Sequence, residues 1–461
     1  MGAENAAMKK PLLSGLVLTL LLVGYAGRAT SDEIVDLLRG YVQLQTVNPP
    51  GSEIIAARYL AAILEREGVD YRIFESAPGR ANLWARLAGG SEPAILLLHH
   101  MDVVSADASR WQHPPFEARL VEGRIYGRGT LDNKSAGIFH LQAFLTLHRE
   151  GRPLKRDVIF LATADEEAGG QQGVGWLLAN HPELFDKVGA VLNEGGSGTI
   201  DQGKISFGIE VTQKLPLWLR ITAEGTAGHP AVPSGDSAPA RLVEALHKLE
   251  DVVFKPHVLP VVADYLHGLA IDSPSPWREL FQNPQAIADS PEAMARLRNY
   301  DYQLAAQLSN TCTITRLQAS DKINVIAPKA TAEMDCRLLP DADPERILES
   351  IRQAVASEGI VVDRLLSFGP GMSTADNFLY RAIENSVRRR FPEASVKGKL
   401  NAGFTDSHFF RERGIPAYGF SPVILSKDDK ASVHGDNENI TLDNLKLGSE
   451  LVLEILKQVV Y

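Results

Sequence analysis

Seven residues of this chain have side chains that could hold cations or carry protons, and most follow an apolar run. His100 and Asp102 come after residues 95–98, Glu166 and Glu167 after 157–164, and Glu194 after 188–192. Asp132 closes the glycine-rich stretch Gly127-Arg128-Gly129-Thr130-Leu131, and His434 stands in Val433-His434-Gly435-Asp436. Two imidazoles and three carboxylates, with no thiolate, suit two divalent ions of the zinc type, one carboxylate bridging the pair. Ions ~3.5–4 Å apart acidify a shared water and polarise the carbonyl it attacks. A further carboxylate beside a ligand is what a hydrolase needs to move the proton from water to a leaving amine. The bland alternative for each residue alone is structural: a histidine satisfied in the core, or glutamates opening a helix at its positive end.

The elements that must position these residues are legible from apolar patterning. Short continuous apolar runs indicate buried strands of a sheet covered on both faces, and such sheets carry chemistry at strand carboxyl ends. Strands at 71–74, 82–86, 95–98, 157–164 and 188–192 alternate with helices at 31–44, 53–67 and 135–148. That order predicts an α/β fold with a doubly wound, mostly parallel sheet. Beyond 213 the pattern changes to strand 215–223, helix 238–249, strands 312–317 and 331–338, helix 344–358 and strand 360–366. This is the βαββαβ order of a ferredoxin-like domain. The expected organisation is a catalytic domain in two parts, 30–213 and 368–461, interrupted by a lid domain at 214–367. Within the lid, residues 252–310 are rich in Pro and aromatics and read as a helical excursion covering a sheet edge or the cleft. A closing helix is expected at 442–459.

The 461-residue chain is 44% hydrophobic, enough for a large core, and its formal charge is −10. An acidic balance without a basic cluster argues against nucleic acid as a partner. Lys9 and Lys10 precede the apolar run 12–23, and Gly27-Arg28-Ala29 offers small residues for cleavage, so 1–29 reads as a secretory signal peptide. Its removal takes Glu4, Lys9, Lys10 and Arg28 and moves the charge to −12. The expected location is secreted or periplasmic, with an uncleaved membrane anchor as the alternative. Two cysteines, Cys312 and Cys336, exclude a thiolate-based zinc site. They fall in adjacent predicted strands, and either a disulfide or two small buried hydrophobes fits.

The segments His100-Met101-Asp102-Val103-Val104, 127–134 (ending Asp132-Asn133-Lys134), Asp165-Glu166-Glu167 and Val433-His434-Gly435 together resemble the di-zinc exopeptidase and amidohydrolase family. That family includes aminoacylase-1, carboxypeptidase S, acetylornithine deacetylase and succinyl-diaminopimelate desuccinylase. Residues 193–196 and the long insertion resemble its carboxypeptidase S and secreted N-acyl-amino-acid hydrolase branch. The resemblance implies two Zn2+ per subunit, with Co2+ or Mn2+ as substitutes. It implies His100 and Glu194 on one ion, His434 and Glu167 on the other, and Asp132 bridging. Glu166 would be the general base and acid, and Asp102 would orient His100. His229 in Gly228-His229-Pro230 would stabilise the oxyanion once the domains close. Asn324 and Arg337 would hold the substrate carboxylate, and Gly403 and Thr405 would line the substrate turn. In that turn His408 replaces an arginine usual in the family, and Ala327 before Pro328 is a milder departure. His99 has no family role and is expected to pack.

These implications describe a zinc-dependent hydrolase of amide bonds next to a free carboxylate, of carboxypeptidase or dipeptidase type, acting through a metal-bridged hydroxide. One alternative is an N-acyl-amino-acid amidohydrolase preferring long acyl chains, for which 252–310 would line the acyl pocket. Another, of a different class, is a non-catalytic binding module on the same scaffold. The expected partners are a small peptide or N-acyl amino acid and, through the lid domain, a second copy of the chain.

Overall fold

A computed structural model describes residues 30–461 apart from Gln202 and Asp272. The signal peptide expected at 1–29 lies outside the described residues.

Apolar runs become strands where expected. In chain order the strands of the two large sheets are β1 (Tyr71–Ala77), β2 (Arg80–Leu87), β3 (Glu92–His100), β4 (Arg156–Thr163), β5 (Val188–Asp201), β6 (Lys204–Gln213), β7 (Leu215–Glu224), β8 (Thr311–Gln318), β9 (Lys329–Leu338), β10 (Ile360–Ser367), β11 (Ser395–Asn401) and β12 (Ala417–Leu425). The larger sheet has the order β1-β2-β4-β3-β5-β12-β6-β11. Its centre, β4-β3-β5-β12, is parallel, whereas β1, β2 and the β5–β6 hairpin pair antiparallel. β4 is buried at every position and β3 over its last seven, as a strand covered on both faces must be. The helices Lys134–Glu150 and Leu442–Val460 pack together on one face; a Cβ at Gly448 would stand 2.4 Å from the Phe139 ring, so only glycine allows this approach.

Two details differ from the sequence expectation. β5 does not end at Leu192 but runs on through Glu194 to Asp201 and turns back as β6, a strand the sequence reading left unassigned. The glycines after Glu194 allow close approach inside the sheet. A Cβ on Gly195 would meet Glu210 at 2.0 Å, and one on Gly196 would meet the Gly208 carbonyl at the same distance.

The lid is a four-stranded antiparallel sheet, β8-β9-β7-β10, with the helices Ala238–Lys248 and Pro344–Val355 on one face. Strand β9 alternates buried and part-exposed residues along its length, the period-2 signature of one covered face. Cys312 and Cys336 lie directly opposite on β8 and β9 and form a disulfide, which decides between the two readings of that pair.

Residues 252–310 are indeed helical, with helices Pro260–Ala270, Trp277–Gln282, Pro284–Ala288, Pro291–Tyr300 and Tyr302–Ala306. Val262, Leu266, Phe281, Met294, Leu297 and Leu304 form a satellite core that also takes in Leu339 of the lid and Leu400 of β11. The insertion thus covers the β11 edge of the main sheet, where unpaired backbone groups would otherwise be open to another chain. It is also tied to the junction between the sheets: buried Lys214 donates to the carbonyls of Ala306 (3.0 Å) and Ser309 (2.8 Å) and to the Thr311 hydroxyl (3.3 Å).

His140, in the helix Lys134–Glu150, is buried, and among the described residues its Nδ1 has no hydrogen-bond partner. Burial lowers its pKa to about 3. The unfolded chain would take up a proton near pH 6.5 that the fold refuses, so stability falls as pH drops from about 6.5 toward 3, by up to about 1.4 kcal/mol per pH unit from this residue. Denaturant unfolding at pH 7 and pH 5 should show a smaller acid loss in His140→Leu than in the parent; equal losses would show that His140 does not carry the effect.

Candidate active site

Three adjacent parallel strands deliver most of the site, from the carboxyl ends of β3 and β4 and from the middle of β5. β3 ends at His100, directly beside Thr163 at the end of β4; Glu166 and Glu167 follow in a 3-10 turn, and Glu194 projects from β5. Across from them Asp132 stands just before the helix Lys134–Glu150.

Asp132 joins the set. Its Oδ1 lies 3.0 Å from His100 Nε2 and its Oδ2 lies 3.0 Å from His434 Nε2. Glu194 approaches the same His100 nitrogen at 3.4 Å, and Glu167 approaches the same His434 nitrogen at 3.2 Å. Glu166 Oε2 is 3.9 Å from His100 Nε2, close to the first group without replacing its donors. The carboxylate of Asp132 is therefore shared, one oxygen to each histidine.

Buried hydrogen bonds fix these positions. Glu438, fully buried, accepts the backbone N–H groups of Gly129 (3.1 Å), Leu131 (2.7 Å) and Asp132 (3.1 Å). Its charge is matched by buried Arg128 at 2.7 Å. Breaking such a buried pair on one side costs about 3–5 kcal/mol, so the two act as a unit. Lys134, also buried, donates to the carbonyls of Tyr41 and Leu44 at 3.1 and 2.7 Å and ties the first helix to this turn.

Asp102 works differently from the simple expectation. His100 Nδ1 lies 2.9 Å from the backbone carbonyl of Asp102 and 3.5 Å from its carboxylate. The carboxylate instead accepts Asn48 Nδ2 at 2.8 Å and the N–H groups of Glu166 and Glu167 at 3.2 Å each. One residue thus orients His100 through its main chain and the two glutamates through its side chain.

The electrostatics are those of negative charge packed together out of water. Burial raises the pKa of Glu194 to about 7; His100 opposes the rise and Asp132 adds to it. His434 is pushed up to about 10 by its bonds to Asp132 and Glu167. Glu167 Oε1 is buried with no hydrogen-bond partner among the described residues. Clustered carboxylates, two imidazole nitrogens and an orphaned carboxylate oxygen fit divalent cations: ligand atoms of His100, Glu166 and Glu194, and of His100, Asp132 and Glu167, lie within 4.8 Å of one another.

These groups open into a cleft of about 790 Å³ between the two sheets. Its walls include Arg337, Gly403 and Thr405, as expected, together with Trp218, Phe404, Val423 and Leu425 and, from the insertion, Tyr302 and Ala306. The insertion therefore covers both the sheet edge and one side of the cleft. His229 and Asn324 are not brought there. Both are exposed, on neighbouring loops of the lid joined by the Gly228–Ile326 bridge. His408 does not reach the cleft wall either: its buried ring stacks on Phe368 with centroids 3.5 Å apart, and Nδ1 meets Glu412 at 2.9 Å. His99 packs as expected, beside the Tyr41 hydroxyl at 3.1 Å.

Sequence reading missed Asn48, which stands before two prolines between the first two helices, and Glu438, whose proximity to His434 in sequence was the available signal. It also missed the aromatic wall of Trp218, Tyr302 and Phe404, which carries no local mark.

A model of the peptidase family M20/M25/M40 matches residues 96–458. The human N-fatty-acyl-amino acid synthase/hydrolase PM20D1 is 28% identical over 386 residues, covering 80% of this chain and 75% of the relative. Human aminoacylase-1 is 27% identical over 413 residues, covering 87% of this chain and 90% of the relative. Among solved structures, the M20 family metallo-carboxypeptidase Sso-CP2 from Sulfolobus solfataricus superposes with a TM-score of 0.71 at 22% identity, over 93% of this chain and 99% of that one. Human carnosine dipeptidase 1 superposes at 0.65 and 18%, over 93% and 97%. With a shared carboxylate between two histidines, further carboxylates beside them and this match across most of its length, the chain belongs to the M20/M25/M40 peptidase family and is a metal-dependent hydrolase.

Proposed function

We propose that this enzyme cleaves amide bonds next to a free carboxylate, in peptides or N-acyl amino acids, with two zinc ions. The observation that carries the proposal is Asp132, whose two oxygens each lie 3.0 Å from a different histidine. His100, Asp132 and Glu194 would hold one ion, and His434, Asp132 and Glu167 the other; Co2+ or Mn2+ would accept the same donors. When bound, the ions supply Lewis acidity to the scissile carbonyl and lower the pKa of a water.

Glu166 carries the proton, taking it at Oε2 and delivering it to the leaving amine. Burial raises its pKa well above the usual carboxylate value; His100 opposes this, while Glu194, Glu167 and Asp406 add to it. A carboxyl group so placed returns its proton readily to the amine. Arg337 holds the substrate carboxylate, with Gly403 and Thr405 along the same wall.

The long-acyl reading is favoured by one feature of the cleft. Trp218, Phe404, Tyr302, Ala306, Val423 and Leu425 form an apolar wall that a dipeptide would leave largely uncovered. The name of the human N-fatty-acyl-amino acid synthase/hydrolase supports the same substrate class.

His229 and Asn324 are assigned to the site of a second copy, paired through the lid. Their exposure supports this, as do the exposed apolar residues Val232, Ile314, Leu317, Ile323 and Val325 on the same part of the lid.

Glu166→Gln should keep two metals by elemental analysis yet lose about 10²- to 10⁴-fold in turnover of both a dipeptide and a long-chain N-acyl amino acid. A metal-loaded variant that retains activity would remove Glu166 from its role. Co-expressed His229→Ala and Glu166→Gln, each inactive alone, should regain roughly a quarter of parental activity by random pairing in a two-fold dimer. No recovery, with a monomer in light scattering, would overturn the supply of His229 by a second copy.

A further inference from the structure

Among the described residues the lid presents one cation to the cleft wall, Arg337, and its guanidinium is already held on one edge. Nε donates to both oxygens of Asp335, at 2.9 and 3.1 Å, and Nη2 donates to Oδ2 at 3.0 Å. Asp335 and Arg337 are two apart on β9 and so share a face of the sheet. The guanidinium carbon also lies 4.9 Å from the centroid of Phe404, another residue of the cleft wall. A guanidinium offers carboxylates more than one bidentate edge. With Nε and Nη2 turned to Asp335, the edge formed by Nη1 and Nη2 is the one left for a ligand.

A carboxylate so near a carboxylate-binding arginine could instead cancel its charge. Lys214 decides against cancellation. Its buried ammonium interacts electrostatically with both Asp335 and Arg337, and its hydrogen bonds go to Ala306, Ser309 and Thr311. With Lys214 protonated the three groups sum to +1, so an anion at Arg337 still meets net positive charge while Asp335 and the Phe404 ring fix the fork.

Resting on the assignment of Arg337 to the substrate carboxylate, we propose that Asp335 is a positioning residue that orients Arg337 and thereby sets the preference for substrates with a free carboxylate. It touches no reacting atom; it limits the rotamers of a long side chain before the ligand arrives, so less order must be imposed on binding.

The test compares an N-acyl amino acid with its carboxamide counterpart, using the parent, Arg337→Ala, Asp335→Asn and Asp335→Glu, each checked for zinc content and melting temperature. Arg337→Ala should abolish the preference for the acid over the amide. Asp335→Asn should raise KM for the acid about tenfold, with kcat within about twofold and KM for the amide unchanged. Asp335→Glu, which restores the charge, should recover part of that loss and serves as the second variant if Asp335→Asn folds poorly. An acid KM unchanged or lowered in Asp335→Asn, while Arg337→Ala removes the preference, overturns the positioning role alone. A preference that survives Arg337→Ala overturns the assignment of Arg337 itself.

Discussion

One carboxylate shared between two histidines is the constraint on which the site depends. Asp132 can face His100 with one oxygen and His434 with the other only if its backbone is held rigidly across the cleft from β3. Glu438 does this by accepting three successive-turn N–H groups, and Arg128 makes burial of that acid tolerable. The parallel centre of the sheet supplies the opposite side. His100, the Glu166–Glu167 turn and Glu194 come from three neighbouring strands, so their separations are set by the sheet rather than by loop conformation.

The same arrangement concentrates charge that the fold alone does not neutralise. Four carboxylates, Asp132, Glu166, Glu167 and Glu194, stand around two imidazoles, of which His100 is buried. The effect is visible in opposite directions: Glu194 and Glu166 are raised by burial, His434 is raised by its carboxylate partners, and Asp132 is lowered despite burial by the histidines that bond it. Cations occupying the donor set would displace protons from the histidines, which makes metal affinity steeply pH-dependent. Position separates the proposed proton carrier from the proposed ligands: Glu166 stands farther from His100 Nε2 than Asp132 or Glu194 does.

Much of this was legible in the sequence because buried parallel strands write themselves as uninterrupted apolar runs, and chemistry follows at their ends. His100, Glu166, Glu167 and Glu194 were found that way, and the βαββαβ order of the lid followed from its alternating strands and amphipathic helices. Other features were not legible for physical reasons. Glu438 acts on backbone groups more than three hundred residues earlier, so its nearness to His434 in sequence does not reveal that partner. β6 escaped notice because its residues, Lys204–Gln213, mix apolar with polar positions instead of forming an uninterrupted apolar run. His408 was expected near substrate from its place in the turn, but an aromatic ring stacks better on Phe368 than it reaches past it. The insertion's helices were foreseen, whereas their contribution to the cleft through Tyr302 and Ala306 depends on how the satellite core seats against Leu339 and Leu400.

The most direct measurement is anomalous diffraction at the zinc edge from crystals of the intact enzyme grown with zinc. The account predicts two peaks about 3.5–4 Å apart on either side of the Asp132 carboxylate, one beside His100 and Glu194 and the other beside His434 and Glu167. A single peak, or peaks away from Asp132, would contradict it.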